Sequence, residues 1–343
     1  FTGETTLDNG LTVGVHVEQE IENNQDDNES YAYFSGGWGR VNFGNEDGAA
    51  YLLQVAAPSA DSNVDGLRTT INATKTPGNA ALADNAGAGI ALVAAAPGSM
   101  ALDYQHADFG NAPSDSGKNA PAARFTYLTP KFSGFQAGVS YAPRAERPTG
   151  IANLAQPLTG YENLWELAGR WDGEFEGIGM SFGAGYSHAS GYGTAAPAAL
   201  PDDLKTWNVG ANLSWNQFSF GGAYLDSDNG NDNKTWVVGA AWDNGPWHVG
   251  LSYLDTTADN GGLTYQYDAA SLVPAESAIQ TNDAEANRIT LGGGYQFGPG
   301  MTFRGALSWG EYDYGSVTDP TGPTTVSAQE DFTQFTIGTD IQF

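Results

Sequence analysis

The sequence predicts an all-β protein, a transmembrane antiparallel up-and-down β-barrel of about sixteen strands, from three observations. Segment after segment alternates apolar and polar residues with a period of two. The apolar rows begin and end with aromatic residues, and the connections alternate strictly between short and long. Composition excludes other classes. The 343 residues carry 40 acidic and 13 basic side chains, a net charge of −27, with 46 glycines and no cysteine. Such a chain is a poor partner for nucleic acid, because phosphate recognition needs clustered Lys and Arg. No disulfide frame, thiolate nucleophile or cysteine zinc site is available. Aromatic residues, 12% of the chain, are too many for a disordered acidic polymer. The longest unbroken apolar stretch, near Ala91–Ala96, is far too short for a transmembrane helix. With no signal peptide at Phe1, the chain reads as a processed form.

Taken in order, Phe1–Thr6 joins Leu11–Ile21 through Leu7–Gly10, whose Asp-Asn-Gly supplies the positive-φ residues of a tight turn. After the long connection Glu22–Glu29, Ser30–Gly36 turns at Gly37–Trp38 into Gly39–Asn45. The longest connection, Glu46–Ala120, precedes Pro121–Thr129, which returns through Pro130–Gly134 as Phe135–Pro143. Arg144–Asn163 leads to Leu164–Trp171, and Asp172–Gly177 turns that strand into Ile178–Ser187. Beyond His188–Leu204 comes the clearest alternation, Lys205–Trp215. Its odd positions are Trp207, Val209, Ala211, Leu213 and Trp215; its even ones are Thr206, Asn208, Gly210, Asn212 and Ser214. Asn216–Gln217 turns it into Phe218–Leu225, and Asp226–Lys234 separates that from Thr235–Asp243. Asp243–Pro246, again with Asp-Asn-Gly, turns into Trp247–Leu254; Asp255–Ala286 then leads to Asn287–Phe297. Gly298–Gly300 turns into Met301–Ser308, and Gly310–Glu330 precedes Asp331–Phe343, where Phe335, Ile337, Ile341 and Phe343 share one face.

A soluble β-sandwich shows the same alternation, so the faces must decide. Trp207 and Trp215, Trp236 and Trp242, Trp247 and Tyr253, Phe303 and Trp309 bracket the apolar rows. Eight residues at about 3.3 Å each, tilted by about 40°, span roughly 20 Å, close to the apolar band of an outer membrane. The opposite face holds Gly, Ser, Thr, Asn, Gln and Arg, which fills a sandwich core poorly and suits a wall lined by water. Short turns on one side and long loops on the other are the mark of an outer-membrane barrel.

The strands number fifteen, whereas single-chain bacterial barrels have even counts. The expectation is that one N-terminal strand is absent from this chain; strand structure at Met100–Phe109 is the competing account. Three stretches carry a resemblance. Phe1–Gly14 looks like the second hairpin of alphaproteobacterial general diffusion porins. Gly39–Gly44 resembles the strand that leads into their pore-constricting third loop. Phe343, behind Ile341, Ile337 and Phe335, resembles the C-terminal signal read by the assembly machinery of the Gram-negative outer membrane. The resemblance implies a homotrimer of sixteen-stranded barrels in the bacterial outer membrane, in contact with lipid and lipopolysaccharide, whose longest loop folds into the lumen. On that reading residues 1–343 are one barrel domain and 46–120 the inward loop.

The charges sort with this layout. The long loops hold 29 acids and six bases, a sum of −23 out of −27. Apart from Lys205 at an outer rim, no Lys or Arg falls on the lipid parity, where each would cost about 2–4 kcal/mol at mid-depth. Arg40, Arg124, Arg170, Arg288 and Arg304 fall on the polar parity. They read either as solvated wall residues or as a basic ladder facing loop acids, the nearest being Glu46, Asp47, Asp61 and Asp65. Trp207, Trp215, Trp236, Trp242, Trp247 and Trp309 are expected in two belts facing lipid or a subunit interface.

Chemical motifs are sparse. His16, His106, His188 and His248 show no metal-binding spacing, and His16 and His248 read as wall residues. Asp226, Asp228 and Asp232 echo a calcium loop without its sixth-position Gly and distal Glu, so they are at most a weak calcium site. No cofactor is required, and no Ser/His/Asp set or carboxylate pair suggests an enzyme. The expected function is passive diffusion of small hydrophilic solutes and ions through a charged constriction. The alternatives are a solute-specific porin, an outer-membrane lipase and a soluble extracellular adhesin or lectin.

Overall fold

The computed structural model describes residues 1–19, 27–60, 90–94, 122–144, 159–193, 202–228, 232–258, 263–267, 284–318 and 325–341. The elements are β1 (Thr2–Thr6), β2 (Thr12–Gln19), β3 (Asp27–Gly36), β4 (Gly39–Asn45), α1 (Ala49–Leu52), β5 (Ile90–Ala94), β6 (Ala123–Leu128), β7 (Phe135–Arg144) and β8 (Thr159–Phe175). They continue with β9 (Ile178–Gly193), β10 (Leu204–Trp215), β11 (Phe218–Asp228), β12 (Asp232–Asn244), β13 (Trp247–Ala258), β14 (Leu263–Tyr267), β15 (Ala284–Gly298), β16 (Met301–Thr318) and β17 (Thr325–Ile341).

Fifteen strands form one sheet in the order β1-β2-β3-β4-β6-β7-β8-β9-β10-β11-β12-β13-β15-β16-β17. Each sheet neighbour is therefore the next long strand of the chain, an up-and-down topology, and the count matches the fifteen strands of the sequence pattern. β5 and β14 pair only with each other among the described residues, and the alternation anticipates neither. The competing strand at Met100–Phe109 lies outside the described residues.

The turns form where the sequence places them. In the first, Gly10 takes φ +81° and its N–H donates to Leu7 O at 2.9 Å. A residue with a Cβ would be strained there, which is why Gly closes the Asp-Asn-Gly turn. The far ends of the strands differ from the sequence reading. β8 starts at Thr159 rather than Leu164, β9 runs on to Gly193, and β16 and β17 occupy all but 319–324 of the expected connection Gly310–Glu330. Apolar alternation reports only the part of a strand that faces lipid. The backbone ladder needs no apolar side chain, so Glu285↔Asp313 and Ser316↔Ser327 pair beyond it.

Burial along β10 separates a membrane wall from a soluble sandwich. Thr206 and Asn208 are 0% and 1% exposed, while Trp207 and Val209 between them are 41% and 44% exposed. The apolar row faces outward and the polar row inward, the reverse of a soluble sheet. The buried hydroxyls satisfy one another across strands, as in Thr126–Ser140, Thr235–Thr256 and Thr290–Ser308, each at 2.9 Å.

Candidate functional site

The polar face is covered locally by the segment that follows β4. Contacts divide the chain into two compact units, one of Phe1–Ala56, Gln105–Asn216 and Ala223–Gly230, the other of Ala57–Tyr104, Gln217–Gly222 and Asn231–Phe343. In the first unit, Ala-Ala-Tyr-Leu forms the single turn α1, closed by Leu52 N–H donating to Gly48 O at 2.9 Å. Ala49 and Ala50 are fully buried, and Ala49 N–H donates to Ser140 Oγ at 2.8 Å. Asn212 Nδ2 donates to Ala56 O at 2.6 Å.

Glycines of the wall make this seat possible. A Cβ at Gly210 would stand 1.7 Å from Val55 O, and one at Gly183 3.0 Å from Leu53 O. Gly138 and Gly185 likewise admit Ala49 and Ala50. In the second unit Ala57–Ala60 lies against Gly239 of β12 and Gly250 of β13, and the His248 ring contacts Ser59 O through Nε2 at 3.0 Å. A wall of small residues thus takes the backbone of the segment directly, strand by strand.

Charged side chains gather around the start of the segment. Glu46, 3% exposed, accepts two bonds from Asn42 Nδ2, at 2.5 and 2.7 Å, while Asn42 Oδ1 accepts from Arg40 Nε at 2.7 Å. Arg40 lies 3.9 Å from the centroid of the Tyr33 ring, and the Tyr33 hydroxyl donates to Glu4 Oε2 at 2.6 Å. The Asp47 main chain hydrogen-bonds Glu29. Asp61 and Asp65 lie outside the described residues.

Three of the other arginines meet carboxylates of the wall. Arg124 Nη1 is 3.3 Å from Glu166 Oε1, with both side chains buried, and Gly48 packs onto the pair. Arg170 Nε reaches both oxygens of Asp172, which also accepts from Ser181 and faces Lys131 at 3.7 Å. Arg304 Nε is 3.1 Å from Asp340 Oδ2, and Arg288 is buried on β15. The sequence placed all five arginines on one parity, but the partners of Arg124 and Arg304 come from other strands and no local signal names them.

Trp215 closes β10, Trp247 opens β13, and Trp207, Trp236 and Trp242 lie within a few residues of a strand end, whereas Trp309 sits midway along β16. Trp215, Trp247, Trp207 and Trp236 are exposed, with Trp247 stacked edge-on against Tyr295 and Trp236 donating to Asp255. Trp242 and Trp309 are half-buried, and Trp242 donates to Gln217. Asp226 accepts from the Tyr224 hydroxyl, Asp232 faces Lys234 at 3.3 Å, and Asp228 is half-buried at the end of β11. Phe343 lies outside the described residues.

This two-faced sheet, with a loop laid on its polar side, has a counterpart among known families. A family model for Gram-negative porins matches residues 1–315. The chain belongs to the Gram-negative porin family. This porin therefore resides in the bacterial outer membrane and provides a passive diffusion channel. No curated protein matches it. Among solved structures, the anion-selective porin of Comamonas acidovorans is 18% identical with a TM-score of 0.56, over 100% of this chain and 88% of that one. The trimer form of OmpT, an outer-membrane protein of Vibrio cholerae, is 12% identical with a TM-score of 0.54, over 99% and 89%. At these identities the likeness shows the fold, the antiparallel up-and-down β-barrel of a porin.

Proposed function

We propose that this porin passes small hydrophilic solutes and ions through an opening narrowed by the segment 46–60, with modest cation preference and no chemical step. The observation that carries the reading is the glycine seat: Gly183, Gly185 and Gly210 let the backbone of the segment lie directly on the polar wall, and Gly138 makes room for the Ala49 and Leu53 side chains. Such contact fixes the width of the opening without a moving part. The ion preference follows from charge. Arg124, Arg170 and Arg304 face Glu166, Asp172 and Asp340, so the wall is locally near neutral. The excess resides beyond the apolar rows, in strand extensions and connections that together carry 29 acids and six bases, a sum of −23. That negative field concentrates cations at low salt and is screened within about 8 Å at physiological ionic strength. A homotrimer fits this role, since OmpT is described in a trimer form.

Reversal potentials across a planar bilayer under a salt gradient test the reading. Cation preference that fades as salt rises is expected. Steady anion preference, unaffected by neutralising Glu46, Asp47, Asp61 and Asp65, would assign control to the arginines and overturn it.

A further inference from the structure

We propose that His16, Glu18 and Glu29 form a binding site for a divalent transition-metal ion, zinc being the probe of choice, on the polar face of β2 and β3. His16 Nε2 stands 3.2 Å from Glu18 Oε1 and 3.8 Å from Glu29 Oε2, and one donor atom from each residue lies within 4.8 Å of the others. Zinc binds imidazole nitrogen at about 2.0–2.1 Å and carboxylate oxygen at about 2.0–2.2 Å, so neighbouring donors lie about 3.0–3.5 Å apart around the ion. His16 Nε2 is already near that spacing from both carboxylates.

The ring is held for the purpose from both sides. His16 Nδ1 is 2.7 Å from Thr2 Oγ1, and the Tyr31 ring stacks on the imidazole at 5.2 Å with 28° between planes. A hydroxyl both donates and accepts. Thr2 Oγ1 can therefore accept from a proton on Nδ1, the tautomer that leaves the Nε2 lone pair for the ion. Outer partners of this kind orient a ligand histidine and set its tautomer. Glu29 is fixed in turn by the Asp47 main chain.

The donor set selects the metal. Calcium takes six to eight oxygen ligands in a site of about 2.3–2.6 Å bonds, and one imidazole with two carboxylates serves it poorly. Imidazole favours zinc, copper and nickel over magnesium and calcium. The residues are close in the chain yet give no metal signature, because His16 and Glu18 are two apart on a strand and Glu29 joins them only through the Glu18↔Glu29 register.

Calorimetric titration of the detergent-solubilised full chain with zinc chloride, in excess magnesium to occupy the acidic loops, tests the site without reference to conduction. One tight zinc site per chain is expected, weakened at least tenfold in His16→Ala and in Glu18→Gln. Thr2→Val, which keeps all three donors, is expected to weaken it about tenfold, the scale seen when an outer partner of a ligand is removed. Strand content by circular dichroism confirms that each variant is folded. Zinc binding that excess magnesium abolishes, or that survives unchanged in both His16→Ala and Glu18→Gln, would overturn the proposal. Failure here leaves the channel reading intact, since the ion-preference experiment uses neither zinc nor these residues.

Discussion

Replacing Gly210 tests whether the segment on the wall sets the width of the channel. A Cβ at this position would lie 1.7 Å from Val55 O and 2.7 Å from Val55 C, whereas ordinary contact begins at 3.4 Å. The deficit of 1.7 Å falls between two stretches of backbone, so no rotamer change relieves it. β10 is held in register with β9 from Leu204↔Ala189 to Trp215↔Ile178, while the segment is held by fewer bonds. The segment therefore gives way, moving off the wall by about the deficit. Overpacking of this kind costs about 1–3 kcal/mol. Lifting Leu53 and Val55, each 3% exposed, forfeits at most about 1.5–3 kcal/mol apiece. Circular dichroism and heat-modifiability on a gel verify that each variant has folded before its conductance is read. Single-channel conductance in planar bilayers is expected to fall in Gly210→Ala and further in Gly210→Val. Gly37→Ala, where a new Cβ meets nothing within 4 Å, is the control and should match the parent. Equal conductance in all four proteins, with folding intact, would show that the segment near Val55 does not border the path of the ions.

Three further outcomes follow from the same geometry. Arg124→Met alone should lower the unfolding temperature sharply, because an unpaired buried carboxylate costs about 3–5 kcal/mol; the double variant Arg124→Met/Glu166→Leu should recover part of the loss in thermal melts. Val209→Lys, on the outward row of β10, should reduce refolding into lipid vesicles by the equivalent of about 2–4 kcal/mol near mid-depth. Lys205→Ala, at the rim of the same row, should leave refolding within error of the parent, and a large loss there would place the rim elsewhere.

The strand sequence and the two-faced wall were legible because both are local. Trp207, Val209 and Leu213 announce one face of β10 by themselves, and Asp-Asn-Gly at Asp8–Gly10 announces its turn. The strand ends were not legible, since Thr159–Glu162, Gly310–Asp313 and Ser316–Thr318 pair through backbone groups that every sequence carries. The parity of the arginines could be read, but their partners lie 42 residues away for Arg124 and Glu166 and 36 away for Arg304 and Asp340. The seat was hidden for another reason. Gly183 and Gly210 look like ordinary small wall residues until the backbone of Leu53–Val55 is known to lie on them. α1 escaped notice because four residues are too few to show helical periodicity.

The inverted exposure along β10 also bears on how such a chain crosses the cell. Because each outward Trp, Val or Leu within the strand is followed by an inward Asn, Gly or Ser, the grease cancels when averaged along the sequence, and mean hydropathy is −0.35. A translocation channel that releases helices sideways into the inner membrane responds to about twenty consecutive apolar residues, and this polypeptide never offers them. The side chains that later hold the protein in one bilayer are thus unreadable to the machinery of the other. Alternation delays commitment to lipid until the strands have paired, so a linear chain can be exported through one bilayer and held only by the other.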